Sequence, residues 1–195
     1  MLRARRRTVV TVTAVVAVLL GGALAATLLT EGGGTAGGGT ATSGNAVTYQ
    51  AGHRPLAPEF TATSLTGTTI KLSSYRGKTV VLNFWGSWCP PCRDEAPTLG
   101  VLAQQYGSQG VAFLGDDVGD TAANALAFTR SVHVSYPSIN DPGYAVVQTF
   151  SQVAPVSDTP TTVVIDKTGH VAGMVLGAVS YGEMTTLLHQ AAVTS

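Results

Sequence analysis

Two cysteines at the junction of an apolar run and a helical segment constrain this chain more than any other feature. They are Cys89 and Cys92, in the run Trp-Cys-Pro-Pro-Cys, and the 195-residue chain contains no others. Residues 79–85 form a nearly continuous apolar run, which predicts a central strand buried on both faces. Residues 91–105 follow with a helical pattern. A C-x-x-C pair at such a junction is typical of thiol–disulfide exchange.

Other uses of a cysteine pair fit this sequence less well. A structural disulfide over so short a loop would remove little entropy from the unfolded chain. A zinc site needs two further ligands, and the sequence has no second Cys pair or close His pair. Haem attachment would require His at the position of Arg93. We therefore expect a redox-active disulfide with no metal and no other cofactor, although a copper-binding module using the two soft sulfur ligands remains an alternative.

The first 30 residues predict a targeting segment. Four arginines lie between positions 3 and 7, and an uncharged, mostly apolar stretch runs from 8 to 30. A cleaved signal peptide could end at Ala23-Leu24-Ala25. The length of the stretch favours an uncleaved membrane anchor, with the arginines retained in the cytoplasm and the remaining chain outside. Residues 31–46, rich in Gly and Thr, predict a flexible linker, and residues 47–195 one domain.

The charge of the exported part bears on its partners. The whole chain has 11 basic and 11 acidic residues, but four of the basic ones belong to the leader, so from residue 31 onward seven basic residues face 11 acidic ones. A phosphate-binding surface needs clustered Lys and Arg, so nucleic acid is not an expected partner. An exported domain with one exchange-spaced Cys pair fits an oxidoreductase better than a disulfide-stapled scaffold.

The order of predicted elements indicates an α/β fold with a mixed sheet. It is βαβα, then a short insertion, then ββα. The predicted strands cover 68–72, 79–85, 111–114, 136–139, 162–165 and 170–176. The predicted helices cover 91–105, 120–131, 143–150 and 181–192, with Asp120 capping the second.

Four segments give the chain a family resemblance. They are Ala57-Pro58-Glu59-Phe60, the stretch 72–78, the run from Asn83 to Cys92, and Thr159-Pro160-Thr161-Thr162. Over about residues 55–190 the chain resembles the membrane-tethered bacterial thioredoxin-like proteins grouped around TlpA, ResA and CcmG. The resemblance implies a thioredoxin-like fold, with a central mixed sheet flanked by helices, an N-terminal extension and a short insertion.

The position of the cysteines predicts their roles. Cys89 lies where the helix begins, and unpaired N–H groups and the helix dipole there would stabilise a thiolate, so we expect it to be the reachable attacking group. Cys92, one turn into the helix, would be shielded and resolve the mixed disulfide. Pro90 and Pro91 cannot donate a backbone hydrogen bond to sulfur, which favours a reductase over an oxidase; alternatively, they only preset the helix start.

The resemblance adds supporting residues. Glu95 matches a glutamate that tunes the thiols and moves protons in similar reductases, although it could instead be a solvated acid of the first helical turn. Asn83 lies where cytoplasmic thioredoxins carry a buried acid. Trp88 is expected to form a wall of the site. Thr159 and Pro160 match the family's cis-proline segment, whose backbone pairs with an extended substrate.

A peroxiredoxin is the nearest enzymatic rival, because it shares the Ala57–Phe60 segment. Its peroxide pocket needs Thr or Ser three residues before the cysteine, where Gly86 precedes Cys89. The resemblance implies protein disulfide substrates such as apocytochrome c, and re-reduction by a membrane thiol–disulfide relay protein. Oxidative folding or isomerisation of secreted proteins remains an alternative. We expect the protein to act as a monomer.

Overall fold

A seven-stranded mixed sheet forms the centre of the molecule. The structure is a computed structural model that describes residues 40–192, except 155 and 157. The strands of this sheet are β1 Thr40–Ser43, β2 Ala46–Tyr49, β5 Thr79–Trp85, β6 Val111–Val118, β7 Ser138–Asp141, β8 Thr161–Ile165 and β9 Val171–Leu176. Their order across the sheet is β1-β2-β9-β8-β5-β6-β7. The predicted thioredoxin-like α/β fold is thereby confirmed.

The strand that leads to the cysteines lies in the middle of this sheet. All seven residues of β5 are buried. The strand runs parallel to β6 and antiparallel to β8, and Asn83 is opposite Gly115 on one side and Thr162 on the other. A strand paired on both sides and covered on both faces needs a continuous apolar run, which is the pattern that predicted it.

Helices cover both faces of the sheet. They are α1 Pro90–Gly107, α2 Ala122–Ser131, α3 Ala145–Phe150 and α4 Tyr181–Ala192. On one face Val81 packs with Leu99 of α1 and Leu187 of α4. On the other face Leu82 packs with Phe150 of α3. Because neighbouring strand residues point to opposite faces, β5 contributes to both cores.

Strand β6 is longer than predicted. The strand was predicted to end at Leu114, before Gly115-Asp116-Asp117, but it continues to Val118 and buries both aspartates. The reason is its place in the sheet: these residues pair with β5 on one side and β7 on the other. Backbone pairing on both sides therefore overrides the polar composition. The predicted cap of α2 is also wrong, because Thr121, not Asp120, is the N-cap residue.

The N-terminal extension contains structure where a flexible linker was predicted. Strands β1 and β2 form a hairpin, so residues 40–46 of the predicted 31–46 linker belong to the sheet. The hairpin pairs with β9, with Ala46 opposite Val175. An otherwise unpaired edge of β9 offers backbone groups to any adjacent segment, which a composition rich in Gly and Thr does not reveal.

A small two-stranded sheet precedes β5. It consists of β3 Thr61–Thr63 and β4 Thr69–Lys71, followed by a 3-10 helix at Leu72–Tyr75. The predicted anchor at residues 1–30 lies outside the described residues. Within 40–192, no helix combines the length and apolar character needed to cross a bilayer.

Candidate active site

The two cysteines form a disulfide at the start of α1. The Cα atoms of Cys89 and Cys92 are 5.4 Å apart. Cys89 is the N-cap residue of the helix, and Pro90 and Pro91 open its first turn. Proline suits this position because its fixed φ matches the helix and its missing N–H would have no intrahelical partner. The sequence therefore places Cys89 at the positive end of the helix dipole.

Among the described residues, one backbone N–H donates to the Cys89 sulfur. The amide N–H of Cys92 points to Cys89 Sγ at 3.2 Å. The carbonyl oxygen of Thr159 lies 3.6 Å from the same sulfur. The two prolines have no N–H to donate to this sulfur. Among the described residues, the Cys92 amide is therefore the backbone donor that caps the helix through Cys89.

Both cysteines are buried in this disulfide state. Cys89 is 3% exposed and Cys92 is 2% exposed. The shielding predicted for Cys92 is confirmed. The expectation that Cys89 is readily reachable is wrong for the oxidised protein, because the side chain packs in a cluster with Trp85, Ala96 and Phe128. A reacting sulfur must therefore reach a Cys89 side chain of which only 3% is exposed in this state.

Glu95 is a buried acid, not a solvated one. It is 3% exposed and lies in the second turn of α1, because the helix begins at Pro90. Its Oε1 accepts a 2.8 Å hydrogen bond from Asn83 Nδ2, and its Oε2 accepts one from the Val179 N–H at 2.8 Å. Burial raises the pKa of Glu95 to about 7, against the lowering effect of these two hydrogen bonds.

Asn83 links Glu95 to the neighbouring strand. Its Nδ2 also donates to Thr162 Oγ1 at 3.0 Å, so one amide group holds side chains from α1 and β8. The structure thus brings the predicted residues Asn83 and Glu95 together. Thr162 and Val179 escaped sequence reasoning as partners of this site. The only signal for Thr162 is its place opposite Asn83 on β8, which requires the strand register.

The predicted cis-proline segment lies beside the disulfide. The peptide bond between Thr159 and Pro160 is cis, as predicted. The Thr159 carbonyl contacts Cys89, which places this segment next to the sulfur that we expect to react. The Thr159 carbonyl could pair with the backbone of an extended chain.

Trp88 and Asp120 shape the loop before the helix. Trp88 is 54% exposed, and its Nε1 donates to the Val118 carbonyl at 3.1 Å. Asp120 Oδ2 accepts from the Ser87 N–H at 3.1 Å. Burial would raise the pKa of Asp120, but hydrogen bonds from Ser87, Thr121 and Asn124 outweigh it and lower the pKa. Asp120 was predicted to cap α2, but the cap is Thr121; Asp120 instead fixes the active-site loop.

Two further carboxyl groups lie in the adjoining strand. Asp116 and Asp117 of β6 are fully buried, and none of their carboxyl oxygens has a hydrogen-bond partner among the described residues. Burial and the nearby Asp141 and Asp117 raise the pKa of Asp116 well above its ordinary value. Burial, with Asp120 and Asp141, raises the pKa of Asp117 to about 7. The predicted strand ended at Leu114, before both residues, whereas β6 continues to Val118.

Comparison with known proteins agrees with this geometry. The sequence model of the AhpC/TSA family matches residues 54–174. The thiol–disulfide oxidoreductase ResA of Geobacillus kaustophilus is 37% identical over 124 residues, which are 64% of this chain and 69% of that protein. This chain is a ResA-type thiol–disulfide oxidoreductase of the AhpC/TSA family. ResA of Bacillus subtilis is 35% identical over 124 residues, 64% of this chain and 67% of the relative.

Solved structures also resemble this oxidoreductase. A secreted thiol–disulfide isomerase from Corynebacterium glutamicum superimposes with a TM-score of 0.71 at 29% identity, covering 79% of this chain and 99% of the other. A DsbF homologue from Corynebacterium diphtheriae gives 0.68 at 31% identity, covering 78% and 99%. Gly86 occupies the position where the peroxide pocket of a peroxiredoxin needs Thr or Ser.

Proposed function

We propose that this ResA-type oxidoreductase is an extracytoplasmic reductase of protein disulfides, with Cys89 as the attacking thiol. The observation that carries the proposal is the position of Cys89 at the N-cap of α1, where its sulfur accepts the Cys92 N–H. A negative sulfur is stabilised there by the helix dipole and by this hydrogen bond.

The first step is attack on a substrate disulfide. The Cys89 thiolate attacks one substrate sulfur, a bond forms between the two sulfurs, and the substrate S–S bond breaks. The leaving thiolate takes a proton from solvent. The Thr159 carbonyl lies beside the reacting sulfur, so the backbone of the cis-proline segment is placed to align an extended substrate chain.

The second step releases the reduced substrate. Cys92, as a thiolate, attacks the Cys89 sulfur, the mixed disulfide breaks, and the second substrate thiolate leaves. Two electrons have then passed to the substrate, and the protein holds the Cys89–Cys92 disulfide. Glu95 lies three residues after Cys92, on the same side of α1. With a pKa of about 7, both of its forms are populated near neutrality, so it can accept the Cys92 proton.

The small number of described hydrogen-bond donors that face Cys89 supports a reductive direction of the cycle. Pro90 and Pro91 supply no N–H, and neither carries a positive charge. A less stabilised thiolate makes the dithiol form less favoured, and hence the couple more reducing. This supports the reductive direction over the oxidase or isomerase alternative.

The leader and the family likeness support the remaining parts of the proposal. An N-terminal anchor at residues 1–30 would hold the domain outside the membrane. There, a membrane thiol–disulfide relay protein would return two electrons to the Cys89–Cys92 disulfide. Apocytochrome c is the substrate we favour, because its paired thiols must be reduced before haem is attached.

Trapping in cells tests the proposal. The Cys92→Ser variant cannot complete the second step, so substrates should remain attached to Cys89 through a mixed disulfide, identified by mass spectrometry of non-reduced membranes. Cys89→Ser is the matched control and should capture nothing. Acid quenching followed by alkylation should find the wild-type protein mostly as the dithiol in cells.

Each result decides between the alternatives. Capture of cytochrome precursors with a mainly reduced wild-type protein supports the reductase. Capture of many unrelated secreted proteins, with a mainly oxidised protein, would instead favour oxidative folding. If the purified protein exchanges no disulfides once a chelator has removed bound metal, the copper-binding alternative gains and the reductase proposal is overturned.

A further inference from the structure

Two exposed aromatic side chains border one peptide unit at the end of β6. Trp88 Nε1 donates to the carbonyl of Val118 at 3.1 Å. The hydroxyl end of Tyr144 lies against the next residue, Gly119, so closely that a β-carbon at Gly119 would lie 2.6 Å from Tyr144 Cζ. The carbonyl of residue 118 and the α-carbon of residue 119 belong to the same peptide unit, so both rings border the same short stretch of surface.

This surface adjoins the disulfide. Trp88 directly precedes Cys89, and its ring lies over the backbone of Gly86, where a β-carbon would be 2.5 Å from Trp88 Nε1. The Ser87 N–H donates to Asp120, which ties the active-site loop to the turn after β6. A polypeptide bonded to Cys89 would therefore have its neighbouring residues next to the two rings.

The backbone does not require a tyrosine at position 144. Tyr144 has φ 59° and ψ 27°, a left-handed conformation that glycine adopts more readily. It caps α3 without a side-chain hydrogen bond, because Asp141 accepts from the Ala145 and Val146 amides instead. Residues held in this conformation against their preference are concentrated at functional sites.

Exposure singles out the same two residues. Among residues described by the structure, five large hydrophobic side chains are exposed, and two of them, Trp88 at 54% and Tyr144 at 43%, meet at this peptide. An exposed apolar cluster beside a reactive group is typical of a binding surface.

We propose that Trp88 and Tyr144 together select polypeptide disulfides that carry a large aromatic or apolar side chain next to the cysteine. The inference rests on the proposed reaction at Cys89 and adds Tyr144 as a specificity-determining residue. Two rings offer apolar area and stacking partners to such a side chain. The Asp120 carboxylate, which accepts from the Ser87 N–H, disfavours an acidic side chain at the same place.

Single-turnover kinetics with matched peptides test this inference. The fully reduced protein is mixed with a peptide whose one cysteine is in a disulfide with glutathione and is followed by Phe or by Ser. Acid quenching and alkylation then give the rate at which protein disulfide forms, by mass. Wild type should react about fivefold faster with the Phe peptide, as expected for one aromatic contact.

Variants assign the preference to Tyr144. Tyr144→Gly should bring the ratio of the two rates close to one, whereas Tyr144→Phe should retain the preference. Tyr181→Gly is the matched control, because Tyr181 is 45% exposed on α4. It should leave both rates unchanged. Urea unfolding of Tyr144→Gly should show a folded protein, since glycine suits the left-handed backbone.

The peptide rates distinguish a failure of the aromatic selection from a failure of the proposed reduction at Cys89. Equal wild-type rates with both peptides would overturn the aromatic selection and leave the reductase intact. A preference that survives in Tyr144→Gly would overturn the role of Tyr144. If the reduced protein reacts with neither peptide, the proposed reductase fails, and the selection proposed for it fails as well.

Discussion

The Asn83 side-chain amide donates a 2.8 Å hydrogen bond to Glu95 Oε1, joining the central strand to the helix that carries the disulfide. Both residues are 3% exposed. A neutral partner cannot compensate a buried carboxylate as a cation would, so burial dominates and the pKa of Glu95 rises to about 7. This pair gives the site a titratable group near physiological pH.

Glu95 should make the stability of the oxidised protein fall as pH rises. The native state retains the proton while the unfolded chain releases it near 4.5, so this contribution is present below about pH 4.5 and is lost as pH approaches 7. At about 1.4 kcal/mol per pH unit, a rise from 4.5 to about 7 makes the loss about 3 kcal/mol.

The Glu95→Gln variant isolates this contribution. Urea unfolding at pH 4.5 and pH 7.5 should show a smaller decrease in the variant than in wild type, by about 3 kcal/mol. A lost hydrogen bond in the variant affects both pH values equally and cancels in the comparison. Equal decreases in the two proteins would contradict the raised pKa.

Asp116→Val should stabilise the protein at neutral pH. Asp116 is fully buried between Phe84 and Ile139 on the neighbouring strands, and neither of its oxygens has a hydrogen-bond partner among the described residues. Replacing a buried, unpaired carboxyl group by an apolar side chain should raise the free energy of unfolding by about 2 kcal/mol. Urea unfolding at pH 7 measures it.

A control variant and the pH dependence of stability provide two further checks on the Asp116→Val prediction. Asp94→Val, at an exposed position on α1, should change stability by less than about 0.5 kcal/mol. Because the pKa of Asp116 is raised, wild type loses stability as pH rises above the value of an unfolded aspartate, so the gain in Asp116→Val should grow with pH. A gain that shrinks with pH would be inconsistent with a buried neutral acid.

Gly86→Ala should disturb Trp88. A β-carbon at position 86 would lie 2.5 Å from Trp88 Nε1 and 2.6 Å from Cε2, so the ring must leave its place. The hydrogen bond to the Val118 carbonyl would be lost, at a cost of about 1 kcal/mol. Tryptophan fluorescence should change, and reduction of peptide disulfides should slow by several fold.

Gly100→Ala is the matched control for that change. Gly100 lies inside α1, and a β-carbon there would meet nothing within 4 Å. Alanine is the better helix former, so stability should rise by about 1 kcal/mol while fluorescence stays the same. An unchanged Trp88 signal in Gly86→Ala would show that the ring is not held as described.

Arg54→Met should destabilise the domain by about 3 kcal/mol in urea unfolding at pH 7. Arg54 Nη1 pairs with Asp166 Oδ2 at 2.9 Å, and the two side chains are only 6% and 5% exposed. Removing the cation leaves Asp166 buried without its ion-pair partner. The ion pair of Arg76 and Glu59 is exposed and serves as the control. Arg76→Met should lower the free energy of unfolding by less than about 1 kcal/mol. Equal effects would mean that burial of the first pair is unimportant.

Local patterns predicted much of the scaffold. The apolar run at 79–85 and the C-x-x-C motif are properties of adjacent residues, and the structure has β5 and α1 where they indicate. The prediction failed where the structure depends on strand pairing between segments that are far apart in the sequence. Residues 40–46 join the sheet because β9 accepts them, and Asp116 and Asp117 lie in a strand because β5 and β7 enclose it.

Adjacent residues specify the chemistry of this protein: two sulfurs spaced for exchange, at the end of a buried strand and the start of a helix. The surroundings of the two sulfurs depend instead on how distant segments pack. Glu95 bonds to Val179, 84 residues away, and Cys89 contacts Thr159, 70 residues away. Burial and its effect on pKa depend on which distant segments cover a side chain, and no local pattern contains that information.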